Sequence, residues 1–233
     1  MCSMPNTPTD VPCMLCGGPT VTETGRVSVC QDCGHVFVRR VNLERYNASK
    51  RAEEAERRGG VMACAGIPER FRSVEPDAKM GAKVLDGRGF YLQGGNGTYK
   101  TLKAASIARA LLDRGRTVRF ISSASLMSEF RDTFDGFKTE ADIFDALSGV
   151  DLLVIDDLGK ENPSSWAATM LYTVIDGRYG ACKPIVVTSN YSKPELIVRL
   201  KGEADDSTAR AIVSRLTEMT ETVSFTGRDA RSR

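Results

Sequence analysis

Residues 90–101 read FYLQGGNGTYKT: a short apolar run, a glycine-rich turn, then a lysine and threonine that open a helical pattern. Gly94-Gly95-Asn96-Gly97-Thr98-Tyr99-Lys100-Thr101 nearly fits G-x-x-x-x-G-K-[ST]. In that pattern backbone N–H groups cradle phosphates, the lysine reaches the β and γ phosphates, and the threonine hydroxyl binds Mg²⁺. A glycine-rich turn with a lysine is by itself as often a plain tight turn. Its position, after an apolar strand and at the start of a helix, is the context that phosphate binding requires. Tyr99 stands where the pattern wants its second glycine, so the loop either tolerates a side chain there or binds nucleotide less well.

Outward from this stretch the chain alternates strand and helix. Phe90–Gln93 is predicted as a buried strand, Lys100–Arg114 as a helix ended by Gly115, and Thr117–Ser122 as a second strand. Helices are expected at 124–133 and 140–147. The apolar run Asp151–Ile155 then needs cover on both faces, as a central parallel strand does. It ends in Asp156-Asp157. Asp156 is suited to hold Mg²⁺ through water, and Asp157 to orient or deprotonate an attacking water. A helix cap or solvated turn would explain one aspartate, but not a pair ending the most hydrophobic strand, where parallel sheets place their ligands. A helix from Asn162-Pro163 to Tyr179 and a strand at Pro184–Ser189 follow. The amide of Asn190, just after that strand, can bridge a water and the γ phosphate, although asparagine after a strand is also ordinary turn chemistry. Helices at 193–201 and 205–219 and a strand at 222–225 complete the alternation. Arg210, Arg215, Arg228, Arg231 and Arg233 are late cations, most of them surface residues.

At 233 residues the chain has room for one α/β domain and a small accessory module. Nowhere do about 18 apolar residues run together, and residues 1–10 lack the pattern of a secretory leader. A net charge of +2 supplies no global footprint for nucleic acid, so any such contact needs a local basic patch. Cys13, Cys16, Cys30 and Cys33 follow C-x2-C-x13-C-x2-C, each pair followed by glycine. Four thiolates at this spacing, with a hairpin-sized spacer, predict a closed structural zinc site, which would supply the folding energy of so small a segment. His35, next to Cys33, offers an alternative ligand, but with four cysteines already filling the shell it is expected as a surface residue. Residues 1–10 read as a loose tail. Residues 42–58 read as a solvated helix stopped by Gly59-Gly60, and the segment after GIPERF (66–71) as a loop.

The pieces together resemble the AAA+ ATPases of the DnaC/DnaI helicase-loader type, with IstB-type transposition helpers as near relatives. The resemblance covers residues 66–233 and rests on GIPERF, GGNGTYKT, DLLVIDDLG, VIDGRYGACKPIVVTSNYS, SRL and DARSR. It implies an α/β P-loop NTPase core (66–233) with a parallel sheet flanked by helices. A zinc ribbon (1–40) and a helical linker (41–65) would precede it. For the site it implies ATP, Mg²⁺ and Zn²⁺, with Gly94 to Thr101 and Asp156 binding nucleotide and metal, and Lys100, Asp157 and Asn190 acting on the phosphates. Arg215, in SRL, would be an arginine finger toward the adjacent protomer, and Arg231, in DAR, a second sensor. Implied partners are a hexameric replicative helicase gripped by the zinc module, single-stranded DNA, and further copies of the chain, in the cytoplasm. A transposition helper and a weakly hydrolysing nucleotide-gated adaptor are the competing readings.

Overall fold

In a computed structural model of the chain, residues 7–9, 12–13, 15–23, 27–34, 36–37, 40–135, 139–160, 164–201 and 206–227 are described. The chain divides into two units, Met1–Arg58 and Gly59–Arg233.

The first unit is an antiparallel meander of β1 (Thr7–Thr9), β2 (Thr20–Glu23), β3 (Val27–Cys30) and β4 (Val36–Phe37), in that spatial order. The expected loose tail is corrected at Thr7–Thr9, because Thr7 pairs with Thr22 and Thr9 with Thr20; residues 1–6 and 10 lie outside the described residues. The run Thr-Pro-Thr suits an edge strand, where β-branched residues flank a proline whose missing N–H costs no internal ladder bond. Helix α1 (Arg40–Cys64) begins in this unit and ends in the second.

The expected stop at Gly59-Gly60 is not where α1 ends. Glycine inside a helix costs about 1 kcal/mol relative to alanine. Here that cost is offset by the last turn, which buries Met62 and Ala65 in the core. The true stop is Gly66, whose φ of +85° is left-handed. The Ile67 N–H bonds the Met62 carbonyl and the Gly66 N–H bonds the Ala63 carbonyl, the paired closure that satisfies the last carbonyls of a helix. A Cβ at Gly66 would collide with the Phe120 carbonyl oxygen. Phe120 in turn donates its N–H to the Ala65 carbonyl at 2.7 Å.

Beyond a single 3-10 turn at Glu69–Phe71, the segment expected as a loop holds α2 (Ala78–Leu85). The Asp77 carboxylate caps it by accepting from the Met80 N–H at 2.9 Å. Next come β5 (Gly89–Gly94), α3 (Lys100–Leu112), β6 (Val118–Ser122), α4 (Ser123–Arg131) and α5 (Glu140–Gly149). They are followed by β7 (Leu152–Leu158), α6 (Ser165–Gly180), β8 (Ile185–Ser189), α7 (Lys193–Lys201), α8 (Ser207–Met219) and β9 (Thr220–Phe225). The expected start of α6 at Asn162-Pro163 lies outside the described residues. The helix is capped by Ser164, whose hydroxyl accepts from the Ala167 N–H at 3.1 Å.

The five strands form one parallel sheet in the order β6-β7-β8-β5-β9. Period-two alternation splits the core between its faces. Leu152, Val154 and Val186 join Phe90 and Leu92 on the side of α3 and the end of α1. Leu153, Ile155 and Val187 join Tyr91 on the side of α4 to α8. Because β7 is covered on both faces it tolerates four consecutive apolar residues, as its composition requires. Among the described residues no helix is long and apolar enough to cross a membrane.

Arg178 of α6 is wholly buried, and its guanidinium replaces missing backbone donors. It donates to the carbonyls of Leu147 (2.7 Å), Val150 (3.1 Å) and Pro184 (2.8 Å). Lys183 donates to Ser148 and Gly149 at 2.8 and 2.7 Å, so two side chains satisfy the open end of α5. Arg178→Met keeps the side-chain volume but leaves these acceptors buried without donors. At ~1–3 kcal/mol for each orphaned group, it is expected to lower unfolding free energy by at least ~3 kcal/mol, measured by urea denaturation. A loss below ~1 kcal/mol would show that the carbonyls find other donors.

Candidate functional site

The sheet order brings the carboxyl ends of β7, β8 and β5 side by side, so the turns that follow them share one edge. That edge is where open parallel sheets bind ligands. A cavity of about 300 Å³ opens there, lined by Asn96, Gly97, Thr98, Tyr99, Lys100, Thr101 and Leu102 from the turn after β5 and the start of α3. Asp157, Lys160, Asn190, Arg70 and Phe71 complete the lining.

The turn after β5 ends in a strained residue. Tyr99 precedes α3 with φ 65° and ψ 17°, the left-handed conformation for which the pattern uses glycine, and a non-glycine residue pays ~1–2 kcal/mol to adopt it. Its ring is mostly exposed beside the cavity, so the departure is conformational and not a plug in the core. Lys100, almost fully buried, crosses the loop. Its Nζ lies 2.7 Å from the Gly94 carbonyl, 2.6 Å from that of Gly95 and 3.5 Å from the Thr98 hydroxyl. Thr98 closes the turn by donating to the Gly95 carbonyl at 2.8 Å. The N-terminal amides of α3 lie beside this lysine, a combination suited to anions.

Behind the turn, the Thr101 hydroxyl donates to Asp156 Oδ1 at 3.0 Å, and the Thr188 hydroxyl of β8 donates to the same oxygen at 2.6 Å. Burial pushes the Asp156 carboxyl above its ordinary range, the two hydroxyl hydrogen bonds pull it back, and the neighbouring Asp157 charge pushes it up again. A hydroxyl and a buried carboxylate whose donors are neutral are the hard oxygen ligands that Mg²⁺ prefers. The donor set therefore fits that ion.

Asp157 sits at a bulge. Ile155 pairs with Val187 and Leu158 with Ser189, so β7 advances three residues while β8 advances two. The extra residue is absorbed at Asp157, which is left-handed at φ 58°. Its N–H bonds the Thr188 hydroxyl at 2.9 Å and its carbonyl accepts from Ser123 at 2.9 Å. Backbone strain held this firmly turns the Asp157 side chain toward the cavity while Asp156 stays behind Thr101. Asn190 donates from Nδ2 to Asn96 Oδ1 at 2.9 Å, and its own Oδ1 is buried without a hydrogen-bond partner among the described residues.

The structure thus brings Gly97 to Thr101, Asp157 and Asn190 together on one cavity, with Gly94, Gly95 and Asp156 immediately behind. Arg215 does not line it. On α8 its guanidinium pairs with Asp176, donates to the Tyr172 hydroxyl at 2.8 Å, and lies over the Tyr172 ring at 4.7 Å. Arg231 lies outside the described residues. Arg70, Phe71, Leu102 and Lys160 line the cavity but were not assigned to it from sequence. For Lys160 the available signal was a cation three residues after Asp157. For Arg70 and Phe71 it was the GIPERF run, which precedes the first core strand by too many residues for spacing to join them.

In the first unit, the sulfurs of Cys13, Cys16 and Cys33 all lie within 4.8 Å of one another, Cys13 and Cys33 at 3.7 Å. Tetrahedral thiolates ~2.3 Å from zinc stand about 3.8 Å apart, so the group fits that ion. The Leu15 N–H points at Cys13 Sγ at 3.4 Å, as in a knuckle whose amides stabilise thiolate charge. Cys30 ends β3 opposite Thr20, and its side chain, like His35, lies outside the described residues.

Comparison with known proteins bears on this geometry. Residues 84–233 match the family described as IstB-like ATP binding protein. The replicative helicase loader DnaC of Escherichia coli (strain K12) is 32% identical over 181 residues, 71% of this chain and 72% of that protein. An uncharacterised protein of the same strain, YdaV, is 29% identical over 49% of this chain and 46% of its own length. Among solved structures, a crystal structure of DnaI has a TM-score of 0.58 at 22% identity, covering 69% of this chain and 95% of that one. The DnaC helicase loader superimposes with a TM-score of 0.54 at 21% identity, covering 68% of this chain and all of the other. At these identities the structural likeness speaks for the fold alone, a parallel sheet flanked by helices. The sequence matches reach further: by them the chain belongs to the IstB-like ATP binding family, and it resembles the Escherichia coli helicase loader DnaC over most of both lengths.

Proposed function

We propose that the chain is an ATPase that loads a replicative helicase onto single-stranded DNA. The observation that carries the ATPase part is the Thr101–Asp156 pair, a hydroxyl and a buried carboxylate 3.0 Å apart at the foot of the Lys100 turn. Together they provide hard oxygen ligands beside a phosphate cradle. Thr101 and Asp156 would hold Mg²⁺, which when bound spreads the charge of the β and γ phosphates. Lys100 and the amides of residues 95–101 would bind the phosphates, and Asn190 would use its orphaned acceptor to orient the attacking water. In hydrolysis the water oxygen bonds to the γ phosphorus as its bond to the bridging oxygen breaks. The proton passes to Asp157 and the electron pair leaves with ADP.

Arg215 is assigned to the phosphates of the adjacent protomer. Asp176 and Tyr172 fix its direction, and this role requires self-association. The zinc module is assigned to the helicase, as a closed thiolate site is structural and leaves its surface for a partner. Similarity to a protein named as a replicative helicase loader favours this reading over a transposition helper.

Lys100→Ala should abolish saturable ATP binding, measured by fluorescence titration, while leaving the melting temperature of the second unit within a few degrees. Retained binding would sink the ATP reading. Tyr99→Gly is expected to hydrolyse ATP at least as fast as the unsubstituted chain, whereas Tyr99→Val should lose ~1–3 kcal/mol of stability, because a β-branched residue is poorly accommodated at a left-handed position. Equal melting of the two variants would argue against strain at residue 99. Elemental analysis should find one zinc per chain. Its chelation should abolish helicase capture and spare ATP binding; helicase capture that survives chelation would dissociate the module from that partner.

A further inference from the structure

Lys160 lines the same cavity as Lys100, Asp157 and Asn190. Its backbone is fixed from several directions. Ser189 Oγ donates to the Leu158 carbonyl at 2.7 Å, Arg199 Nε donates to the Gly159 carbonyl at 2.7 Å, and the Lys160 N–H reaches the Asp157 carbonyl at 3.2 Å. Gly159 has φ +95°, and a Cβ there would press into the Tyr191 ring, so glycine is required for the turn to pack. The end of β8 and helix α7 therefore hold the residue before Lys160, and leave its side chain to reach back over Asp157.

There the ammonium lies 2.7 Å from Asp157 Oδ2. The side chains are 44% and 34% exposed, a setting in which an ion pair is held weakly and exchanges readily. Among the described residues the cavity lining carries the cations Arg70, Lys100 and Lys160 against one carboxylate, Asp157. A terminal phosphate brings several anionic oxygens and competes well with one carboxylate for an ammonium. A diphosphate, one phosphate shorter in the cradle of Lys100, brings no such group to this end.

We propose that Lys160 is a positioning residue that distinguishes triphosphate from diphosphate. Its ammonium exchanges the Asp157 carboxylate for γ-phosphate oxygens, so that Asp157 is released to the attacking water only when a γ phosphate is present. The exchange makes and breaks no covalent bond. The inference rests on the ATP reading above and deepens it. A lysine that only stapled the turn would affect ATP and ADP alike.

The test is a fluorescence titration of the full chain with a non-hydrolysable ATP analogue and with ADP. Lys160→Met is expected to weaken the ATP analogue about tenfold, the loss of one charge-assisted hydrogen bond, while changing ADP by less than about twofold. Lys160→Arg should restore most of the preference. Parallel loss for both nucleotides, or an unchanged ATP to ADP ratio, overturns the inference and leaves the ATP reading standing. Failure of the unsubstituted chain to bind either nucleotide overturns both. Because Lys160 is partly exposed and its backbone anchors remain, circular dichroism of Lys160→Met should match the unsubstituted chain, which separates loss of discrimination from loss of fold.

Discussion

A carboxylate buried at the junction of three elements organises this molecule. Asp156 lies on β7, accepts from Thr188 on β8, and accepts from Thr101 on α3, so one side chain ties the two central strands to the helix that follows the phosphate turn. Burial alone would favour the neutral acid. Two hydroxyl donors reduce that cost without cancelling the negative charge, which keeps the position receptive to a cation. Stability and chemistry thus compete at this residue, and the arrangement is unfavourable unless the neighbouring turn brings positive charge close by.

The bulge beside it resolves a geometric conflict. Adjacent residues of a regular strand point to opposite faces, so Asp156 and Asp157 could not both serve one sheet edge from an unbroken β7. The extra residue and the left-handed backbone at Asp157 remove the alternation at that point. A second left-handed residue, Tyr99, stands across the cavity. Both strains lie in turns whose ends are held by the sheet, where a rigid frame can maintain them.

Much of the core was legible because buried parallel strands leave unmistakable apolar runs. LLVI at 152–155 and IVV at 185–187 needed no partner to be recognised, and the lysine, threonine and paired aspartates were found from their position after such runs. What escaped depended on distant contacts. Helix α2 has only eight residues and contains Gly81, and it is held by Asp77 and by close packing against Ala110, neither visible in its own periodicity. Gly59-Gly60 read as a stop because local propensity cannot register the burial of Met62 three residues on. Thr7–Thr9 was lost for the same reason, since three residues become a strand only through the partner they pair with. In the cavity, Arg70 and Phe71 were hidden by the roughly twenty residues that separate them from the phosphate turn.

The closure of α1 also affects how copies of the chain can meet. Strand β6 is the outer strand of the sheet on its side, and an outer strand normally offers a row of amides to any passing chain. The Ala65 carbonyl already occupies the Phe120 amide in the middle of that row. A neighbour cannot extend the sheet past this point without first unwinding the end of a helix, so polymerisation by strand addition is disfavoured there. Assembly on this flank must proceed through side chains, which can be selective, and not through backbone, which pairs with almost anything.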